Sequence, residues 1–253
     1  MRRAELPVPS GPGVRLFRRT EPQGDSHWTP ALGEPPSVYG ERLTSVEGEV
    51  LRRWDPTRSK LGAALARGWD GPIPNPGERW LYLGAATGTT ASHVADLVGP
   101  EGFVYALEKS LRPFARLLAL ARRYPNLGPI LGDARDPVGY LPLVPPVDGI
   151  YLDVAQPDQV AIALENVRWF LRPGGSVLLV LKTASMGRDR GPREHLEVAL
   201  AGLAPPLEVD SPLPLAPFHK RHFLVGGRTA GRSPPGDRAA PRRRGAPRVV
   251  RRR

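Results

Sequence analysis

An apolar run that stops at a loop of small residues constrains the fold of this chain most strongly. Residues 79–94 read RWLYLGAATGTTASHV, so the apolar run ends at Gly84 and a helical pattern begins after Gly88. Glycine adopts positive φ without steric cost, and the first N–H groups of a helix have no partner inside it. The stretch therefore predicts a β-strand, a tight turn and an α-helix, with the turn open to a ligand that approaches the backbone.

The turn points to a particular kind of ligand. It reads Gly-Ala-Ala-Thr-Gly instead of the G-x-G-x-x-G fingerprint that holds a dinucleotide pyrophosphate. The next predicted strand, FVYAL at 103–107, ends on Glu108, at a spacing typical of an acid that meets ribose hydroxyls. This combination favours an adenosyl ligand without phosphates, namely S-adenosylmethionine. A turn of this kind without a ligand stays open as the alternative.

Strands and helices alternate further along the chain. After a helix over 112–124, in which Phe114, Leu117, Leu118 and Ala121 share a face, the pattern predicts strands at 129–131, 147–152 and 176–181 and a helix at 157–170. Alternating units of this kind form a parallel sheet with helices on both faces and ligands at the carboxyl ends of the strands. The polar residues at those ends are Glu108, Asp133, Asp153 and Lys182.

The use of lysine gives an independent argument. The chain has 36 Lys and Arg residues, of which only Lys60, Lys109, Lys182 and Lys220 are lysines. Arginine does not release its proton in a protein, so a retained lysine is a candidate for chemistry that needs a titratable amine. Lys182 ends a buried apolar strand, and Lys60 begins a helix with Asp55 or Ser59 as its cap. The alternative is that codon bias favours arginine in this chain and that the four lysines remain by chance.

Five motifs follow one another in the chain, and they read YLGAATGTTASHV, VGPEGFVYALE, GDARDP, DVAQPDQ and PFHKRHFLVGG. In this order and spacing they resemble the fibrillarin family, the 2′-O-methyltransferases of box C/D guide ribonucleoproteins, and the similarity extends from Val38 to Gly227. DVAQPDQ is the most specific of them. The chain resembles the archaeal form, because no Gly/Arg-rich stretch precedes these motifs. The implied fold is α/β, a Rossmann-like S-adenosylmethionine-dependent methyltransferase fold with a small N-terminal β subdomain.

The resemblance also implies site residues. The positions that match the family's S-adenosylmethionine site are Gly84, Ala85, Thr89, Thr90, Glu108, Asp133, Ala134, Asp153 and Gln156. The positions that match its catalytic group are Lys60, Asp153, Lys182 and His222. We expect Lys182 to accept or orient the proton of a ribose 2′-hydroxyl, Lys60 to bind a flanking phosphate, and His222 to complete the network. The run Thr183-Ala184-Ser185 departs from the family, which commonly has a basic residue two places after this lysine.

Composition limits other kinds of site. The chain has no cysteine, and its five histidines are scattered, so we expect neither disulfides nor a metal centre. His27, His93, His195 and His219 are expected to be structural or solvated. No apolar run approaches the roughly 20 residues that span a bilayer, and the first residues lack a signal core, so we expect a cytoplasmic protein.

Charge and composition divide the chain into four expected segments. These are a flexible N-terminus at 1–13, a small β subdomain at 14–55, a methyltransferase domain at 56–227 and a disordered Arg/Pro-rich tail at 228–253. In the β subdomain, strands are expected at 14–17, 38–43 and 46–51. Residues 226–253 contain ten arginines and one aspartate, against a net charge of +11 for the whole chain, so the catalytic body is nearly neutral. The tail is expected to contact RNA phosphates or to act only as a solubilising end.

A nearly neutral body favours delivery of the substrate by partners. The partners implied by the resemblance are a box C/D guide RNA with its target rRNA or tRNA, a coiled-coil scaffold protein and a kink-turn-binding ribosomal-type protein. Three other functions stay open from the sequence: a stand-alone ribosomal RNA 2′-O-methyltransferase, an NAD-dependent dehydrogenase and a non-catalytic RNA-binding scaffold.

Overall fold

The computed structural model describes residues 7–230 except 12, 23 and 188. This part of the chain contains two sheets, a five-stranded antiparallel sheet and an eight-stranded mixed sheet, together with helices. The expected tail at 228–253 lies outside the described residues apart from its first three positions. No helix in the described part is long and apolar enough to cross a membrane.

The small sheet is built from the N-terminal residues. Its strand order is β1-β2-β3-β5-β4, and all its pairs are antiparallel. The bounds are β1 Val8–Pro9, β2 Phe17–Arg19, β3 Ser26–Pro30, β4 Leu43–Val46 and β5 Glu49–Arg53.

The large sheet contains the remaining strands in the order β11-β13-β10-β9-β6-β7-β8, with β12 paired to β13. Strands β6 to β10 are mutually parallel, and β13 is antiparallel to β10 and β11. The bounds are β6 Arg79–Leu83, β7 Phe103–Glu108, β8 Leu127–Leu131, β9 Val147–Leu152, β10 Leu171–Lys182, β11 Leu207–Val209, β12 Leu213–Pro214 and β13 His222–Thr229.

Helices cover both faces of the large sheet. They are α1 Lys60–Ala66, α2 Thr89–Val98, α3 Leu111–Ala121, α4 Pro137–Tyr140, α5 Gln159–Phe170 and α6 Pro192–Leu203. One apolar cluster lies under α1, α2 and α3, and the other under α4, α5 and α6. Because β7 and β9 flank β6 on opposite sides, the winding of the sheet reverses at β6. Ligands of such sheets bind in the crevice at the carboxyl ends of the strands at this reversal.

A buried arginine joins the two sheets. Arg52 on β5 is fully buried, and its guanidinium reaches Glu41 Oε1 at 2.6 Å and Asp96 Oδ2 on α2 at 2.7 Å. It also donates to Ser92 Oγ at 3.0 Å and to the hydroxyl of Tyr124. A buried charge is tolerated only when it is paired and hydrogen-bonded. Arg52 obtains this compensation from Glu41 and Asp96, and the two carboxylates obtain it from Arg52.

Neutral groups extend this network. Burial lowers the pKa of His93 well below its usual value, so its ring is neutral. His93 Nδ1 donates to Thr29 Oγ1 at 2.7 Å, and Thr29 donates to Asp96 at 2.9 Å. Tyr39 donates to His93 Nε2 at 2.8 Å, and the ring of Trp54 stacks on His93. The small sheet therefore shares one buried polar interface with the middle and the last turn of α2, the helix that begins at the glycine turn.

The structure differs from several expectations about strands and buried residues. Strand β1 pairs with β2 inside residues 1–13, where no strand was predicted. The strand expected at 38–43 is mostly loop, and the buried strand β3 was not predicted because its sequence, SHWTP, has no apolar alternation. On α3 the buried residues are Leu117 and Leu120, and the expected Leu118 is exposed. The segment boundaries stay predictions.

Replacing the buried arginine tests this interface. In Arg52→Ala, Glu41 and Asp96 lose their cation inside the protein, and removal of one partner from a buried ion pair typically costs about 3–5 kcal/mol. We expect a fall of this size in the free energy of unfolding, measured by urea denaturation.

Arg53→Ala is the matched control, because Arg53 is the next residue and its side chain is 38% exposed in an ion pair with Glu21. Exposed ion pairs contribute about 0–1 kcal/mol. Equal losses in the two variants would contradict a special role for the buried arginine.

Candidate active site

The turn between β6 and α2 requires its glycines. Gly84 has a φ of +83°, and a Cβ there would lie 2.9 Å from the carbonyl oxygen of Asp153. Gly88 has a φ of +88° and caps α2, and a Cβ there would lie 2.5 Å from Leu120 Cδ2. Both positions have a left-handed backbone and a neighbouring atom within 3 Å of where a Cβ would lie, so any larger residue would displace the turn.

Glu108 is held rigidly at the end of β7. Its carboxylate accepts hydrogen bonds from the backbone N–H of Ala86 at 2.9 Å and of Ser110 at 2.8 Å. These two bonds orient the acid toward the space above the glycine turn. An oriented, nearly buried carboxylate at this place is chemically suited to a pair of ribose hydroxyls.

A cleft of about 250 Å³ lies at the carboxyl ends of β6, β7 and β9. Its walls combine apolar side chains such as Leu107, Val154 and Ile162 with polar groups on the rim. The predicted ligand residues on these walls are Gly84, Glu108, Asp133, Ala134, Asp153 and Gln156. Lys182 also lines the cleft, so the catalytic lysine expected from the sequence borders the expected ligand site.

Three residues that the resemblance assigns to the ligand site are not among the residues that line this cleft, and their contact with the ligand stays a prediction. Ala85 packs into the apolar core, and Thr90 is buried with its hydroxyl donating to Ser59 Oγ at 3.0 Å. Thr89 lines a separate groove beside Arg116.

Asp153 brings the two predicted catalytic lysines together. Its Oδ2 lies 3.0 Å from Lys60 Nζ, and its Oδ1 lies 2.6 Å from Lys182 Nζ. Lys182 Nζ also donates to the Asp153 carbonyl oxygen at 2.9 Å. The carboxylate is only 8% exposed, so it lies between two ammonium groups in a place that water hardly reaches.

Each lysine is positioned by its own element. Lys60 is the first residue of α1, whose N-cap is Ser59, with the serine hydroxyl accepting from the Gly62 N–H at 3.2 Å. Of the two expected caps, Ser59 is therefore the one used. Lys182 is the last residue of β10.

Gln159 holds the backbone of Lys182, and the sequence reasoning did not single it out. Its side chain is fully buried, accepts from the Lys182 N–H at 2.9 Å and donates to the Lys182 carbonyl at 3.2 Å. The only available signal was its place as the last residue of DVAQPDQ. These two bonds tie the start of α5 to the end of β10.

His222 is the fourth predicted catalytic residue, and it lies opposite Lys182 in the antiparallel register of β10 and β13. Burial lowers its pKa below 6.5, and the charges of Lys60 and Lys182 lower it further. A neutral ring donates its Nδ1–H to the Lys220 carbonyl, 2.7 Å away, which leaves the lone pair of Nε2 available. The structure thus brings all four predicted catalytic residues to one edge of the sheet.

The described residues contain no group of three His, Cys, Asp or Glu side chains that could hold a metal ion. The arrangement is instead a cleft with an oriented acid, bordered by two ammonium groups that share one carboxylate. It can bind an adenosine-like molecule and accept or orient the proton of a group beside it.

Comparisons with known proteins identify the family. The fibrillarin family model matches residues 14–231. The chain belongs to the fibrillarin family. It is 43% identical over 213 residues to the fibrillarin-like rRNA/tRNA 2′-O-methyltransferase of Thermococcus onnurineus, with 84% of this chain and 94% of that protein covered.

Solved fibrillarins share its fold. The structure of Aeropyrum pernix fibrillarin with natively bound S-adenosyl-L-methionine matches with a TM-score of 0.78 and 37% identity, covering 90% of this chain and 100% of that one. The fibrillarin of a fibrillarin/Nop5p complex matches with a TM-score of 0.73 and 37% identity, covering 81% and 94%. The predicted family and the predicted Rossmann-like methyltransferase fold of this fibrillarin are therefore confirmed.

Removing the side chain of Gln159 tests its hold on Lys182. Gln159→Leu keeps a similar volume but leaves the Lys182 N–H and carbonyl without partners in the interior, which costs about 1–3 kcal/mol for each unsatisfied group. We expect a lower free energy of unfolding in urea and faster hydrogen exchange of the Lys182 amide.

The matched control is Gln156→Leu, which removes the side-chain amide of the same motif from a partly buried position on the cleft. Slow exchange of the Lys182 amide in Gln159→Leu would contradict the proposed hold.

Proposed function

We propose that this fibrillarin is the catalytic subunit of a box C/D guide ribonucleoprotein and methylates ribose 2′-hydroxyls of rRNA and tRNA. As a fibrillarin it is an S-adenosylmethionine-dependent RNA 2′-O-methyltransferase. The observation that carries the assignment of chemistry to residues is the pair of lysines on Asp153 at the edge of the cleft.

The cleft residues fit S-adenosylmethionine. Glu108 would take the ribose hydroxyls, Asp133 and the backbone of Ala134 the adenine edge, and Asp153 and Gln156 the methionine end. The orientation of Glu108 supports the fit, because the N–H groups of Ala86 and Ser110 hold its carboxylate at the cleft. When bound, the cofactor supplies an electrophilic methyl group.

Lys182 would orient the ribose 2′-oxygen. Its ammonium donates one hydrogen bond to the Asp153 carbonyl oxygen and forms an ion pair with the Asp153 carboxylate, so N–H groups are left for an oxygen of the substrate. Holding the hydroxyl in reactive geometry is the larger share of the catalysis available to such a site. Asp153 keeps the ammonium in place, and Gln159 fixes the backbone that carries it.

Lys60 and His222 would complete the site. Lys60 is 26% exposed, so its ammonium can reach a substrate phosphate while it remains paired with Asp153. His222 is neutral near pH 7 and has a free Nε2 lone pair, which makes it a suitable acceptor for the proton that leaves the 2′-hydroxyl. A positioned base of this kind contributes about 10²–10⁴-fold.

The particle would include further partners. A fibrillarin forms a complex with Nop5p, which supports a coiled-coil scaffold protein as a partner of this chain. The guide RNA and the kink-turn-binding protein rest on the family resemblance and on the nearly neutral catalytic body, which offers little broad attraction for RNA. The cytoplasmic location stays a prediction.

Reconstitution tests the function. The chain is assembled with a guide RNA, a scaffold protein and a kink-turn-binding protein, and labelled cofactor and guide-matched RNA are added. We expect one methylated ribose at the position that the guide specifies, mapped by resistance of that sugar to alkaline cleavage. Efficient, unguided methylation by the isolated chain would contradict the particle-dependent function.

Lys182→Arg is the diagnostic variant in the same assay. Arginine keeps the positive charge but cannot place one compact ammonium on both Asp153 oxygens, so we expect a fall in turnover of about 10²-fold or more at saturating RNA. Lys220→Arg is the control, because Lys220 is exposed and contributes only its backbone carbonyl to His222. Similar turnover in both variants would remove Lys182 from the chemistry.

The pH dependence tests His222. Its lone pair is lost when the ring is protonated, and the pKa of the ring is lowered, so activity should fall as the solution becomes acidic, with the midpoint of the fall below pH 6.5. We expect this in single-turnover rates of the assembled particle. His222→Gln should lower the rate and abolish the acidic fall, whereas His219→Gln should retain it. An acidic fall that is unchanged in His222→Gln would exclude His222 as the acceptor.

A further inference from the structure

A second pocket, of about 420 Å³, lies directly beyond the catalytic edge of the sheet. It is formed where the chain leaves β10 and enters α6, and its walls include Thr183, Arg190, His195 and Arg221. Thr183 follows Lys182 in the chain, and Arg221 precedes His222. The pocket is therefore adjacent to the place where the substrate ribose would lie, and none of its walls is used by the chemistry described above.

His195 is buried without a hydrogen bond in this pocket. Its side chain is 4% exposed, and its Nε2 has no hydrogen-bond partner among the residues that the structure describes. The nearest carboxylate oxygen, Oδ1 of Asp189, is 4.0 Å away, which is too far for a hydrogen bond. The sequence predicted a structural or solvated residue in polar surroundings. A buried polar nitrogen left without a partner favours an occupant that offers an oxygen acceptor.

Arg221 is held in an unusual backbone conformation. It has a φ of +58°, although it is not glycine, and its carbonyl oxygen accepts from the N–H of Thr183 at 3.2 Å and from the Thr183 hydroxyl at 3.1 Å. Backbone strain of this kind persists where surrounding contacts maintain it, and it is concentrated at functional sites. The effect here is to hold the arginine at the mouth of the pocket.

The start of α6 adds to the positive character of the pocket. This helix has 12 residues, its N-cap Gly191 provides no side-chain cap, and Pro192 occupies the first turn at the pocket wall. Free N–H groups at a helix start favour an anion. The nearby acids, Asp189 and Glu194, lie 3.7 Å and 3.5 Å from Arg190 Nε and so pair with that arginine, which leaves Arg221 to act on an occupant.

We propose that this pocket binds a backbone phosphate of the RNA strand that carries the target 2′-hydroxyl. The phosphodiester oxygens accept from the His195 Nε2–H, from the guanidinium of Arg221 and from the start of α6. The identity of the strand rests on the proposed function, because the pocket adjoins Lys182 and His222. Binding here holds the strand on the side of the ribose away from the cleft.

Salt-dependent binding of RNA tests the proposal. A labelled single-stranded RNA is titrated with the full chain at several salt concentrations and followed by fluorescence anisotropy. For single strands, each phosphate contact contributes a slope of about −0.7 to the dependence of log affinity on log salt. We expect Arg221→Asn to weaken binding several-fold and to make the slope less steep by about this amount. Asparagine tolerates positive φ, so the loop keeps its backbone.

Arg122→Gln is the charge-matched control. Arg122 is exposed at the end of α3, next to β7 and β8 and far from the β10 edge, so its loss should leave the slope unchanged. His195→Leu should weaken binding, whereas His195→Gln, which retains an N–H donor, should recover part of it. Calorimetry with S-adenosylmethionine should give the same affinity in all variants and so confirms that they are folded. Equal slopes in Arg221→Asn and Arg122→Gln would overturn the proposal.

The imidazole nitrogen resonances of ¹⁵N-histidine-labelled protein distinguish an RNA phosphate from a free anion. The signal of His195 is assigned by its loss in His195→Leu. A shift on addition of RNA supports the proposal, a shift with inorganic phosphate alone makes the pocket a free-anion site, and no shift with either shows that it binds no phosphate. These measurements need no methyl transfer, so a failure of the pocket and a failure of the methylation function are distinguishable.

Discussion

The candidate active site depends on one carboxylate that lies between two ammonium groups. Asp153 is nearly buried, and a buried carboxylate is stable only when its charge is compensated. The two cations come from different elements, Lys60 from the first residue of α1 and Lys182 from the last residue of β10. The shared charge therefore holds a helix and a strand at a fixed distance, at the same edge where the cofactor cleft opens.

A second buried ion cluster joins the small sheet to α2, the helix that begins beside the cleft. Arg52 carries its charge from the small sheet to Asp96 on α2, and α2 begins directly at the glycine turn beside the cleft. The small sheet is thus part of the scaffold of the cleft, because its removal would leave Asp96 without its cation. Tyr39 continues the contact, since its hydroxyl accepts from the Asp55 N–H at 3.2 Å in the segment that leads to Lys60.

Local patterns in the chain predicted most of the parallel sheet. The strand at Val147–Leu152 and the end of the helix at Phe170 have the expected bounds, because uninterrupted apolar runs and helical periodicity are properties of neighbouring residues. The polar strand Ser26–Pro30 was not predicted, since its burial results from pairing with β2 and β5. Gln159 was missed for the same reason, because its hydrogen-bond partner is distant in the chain.

The sequence by itself determined the parallel strands β6 to β10 with the helices α2, α3 and α5 between them, the position of the glycine turn, the family motifs and the four retained lysines. Only the tertiary structure decided that Lys60 and Lys182 share Asp153, that Ser59 caps α1, that the Thr90 hydroxyl donates to Ser59, and that His195 is buried beside Arg221. The physical reason is that periodicity and turn chemistry act over a few residues. The ion pairs of the site join residues that are far apart in the chain, and the spatial order of the strands in the sheet brings them together.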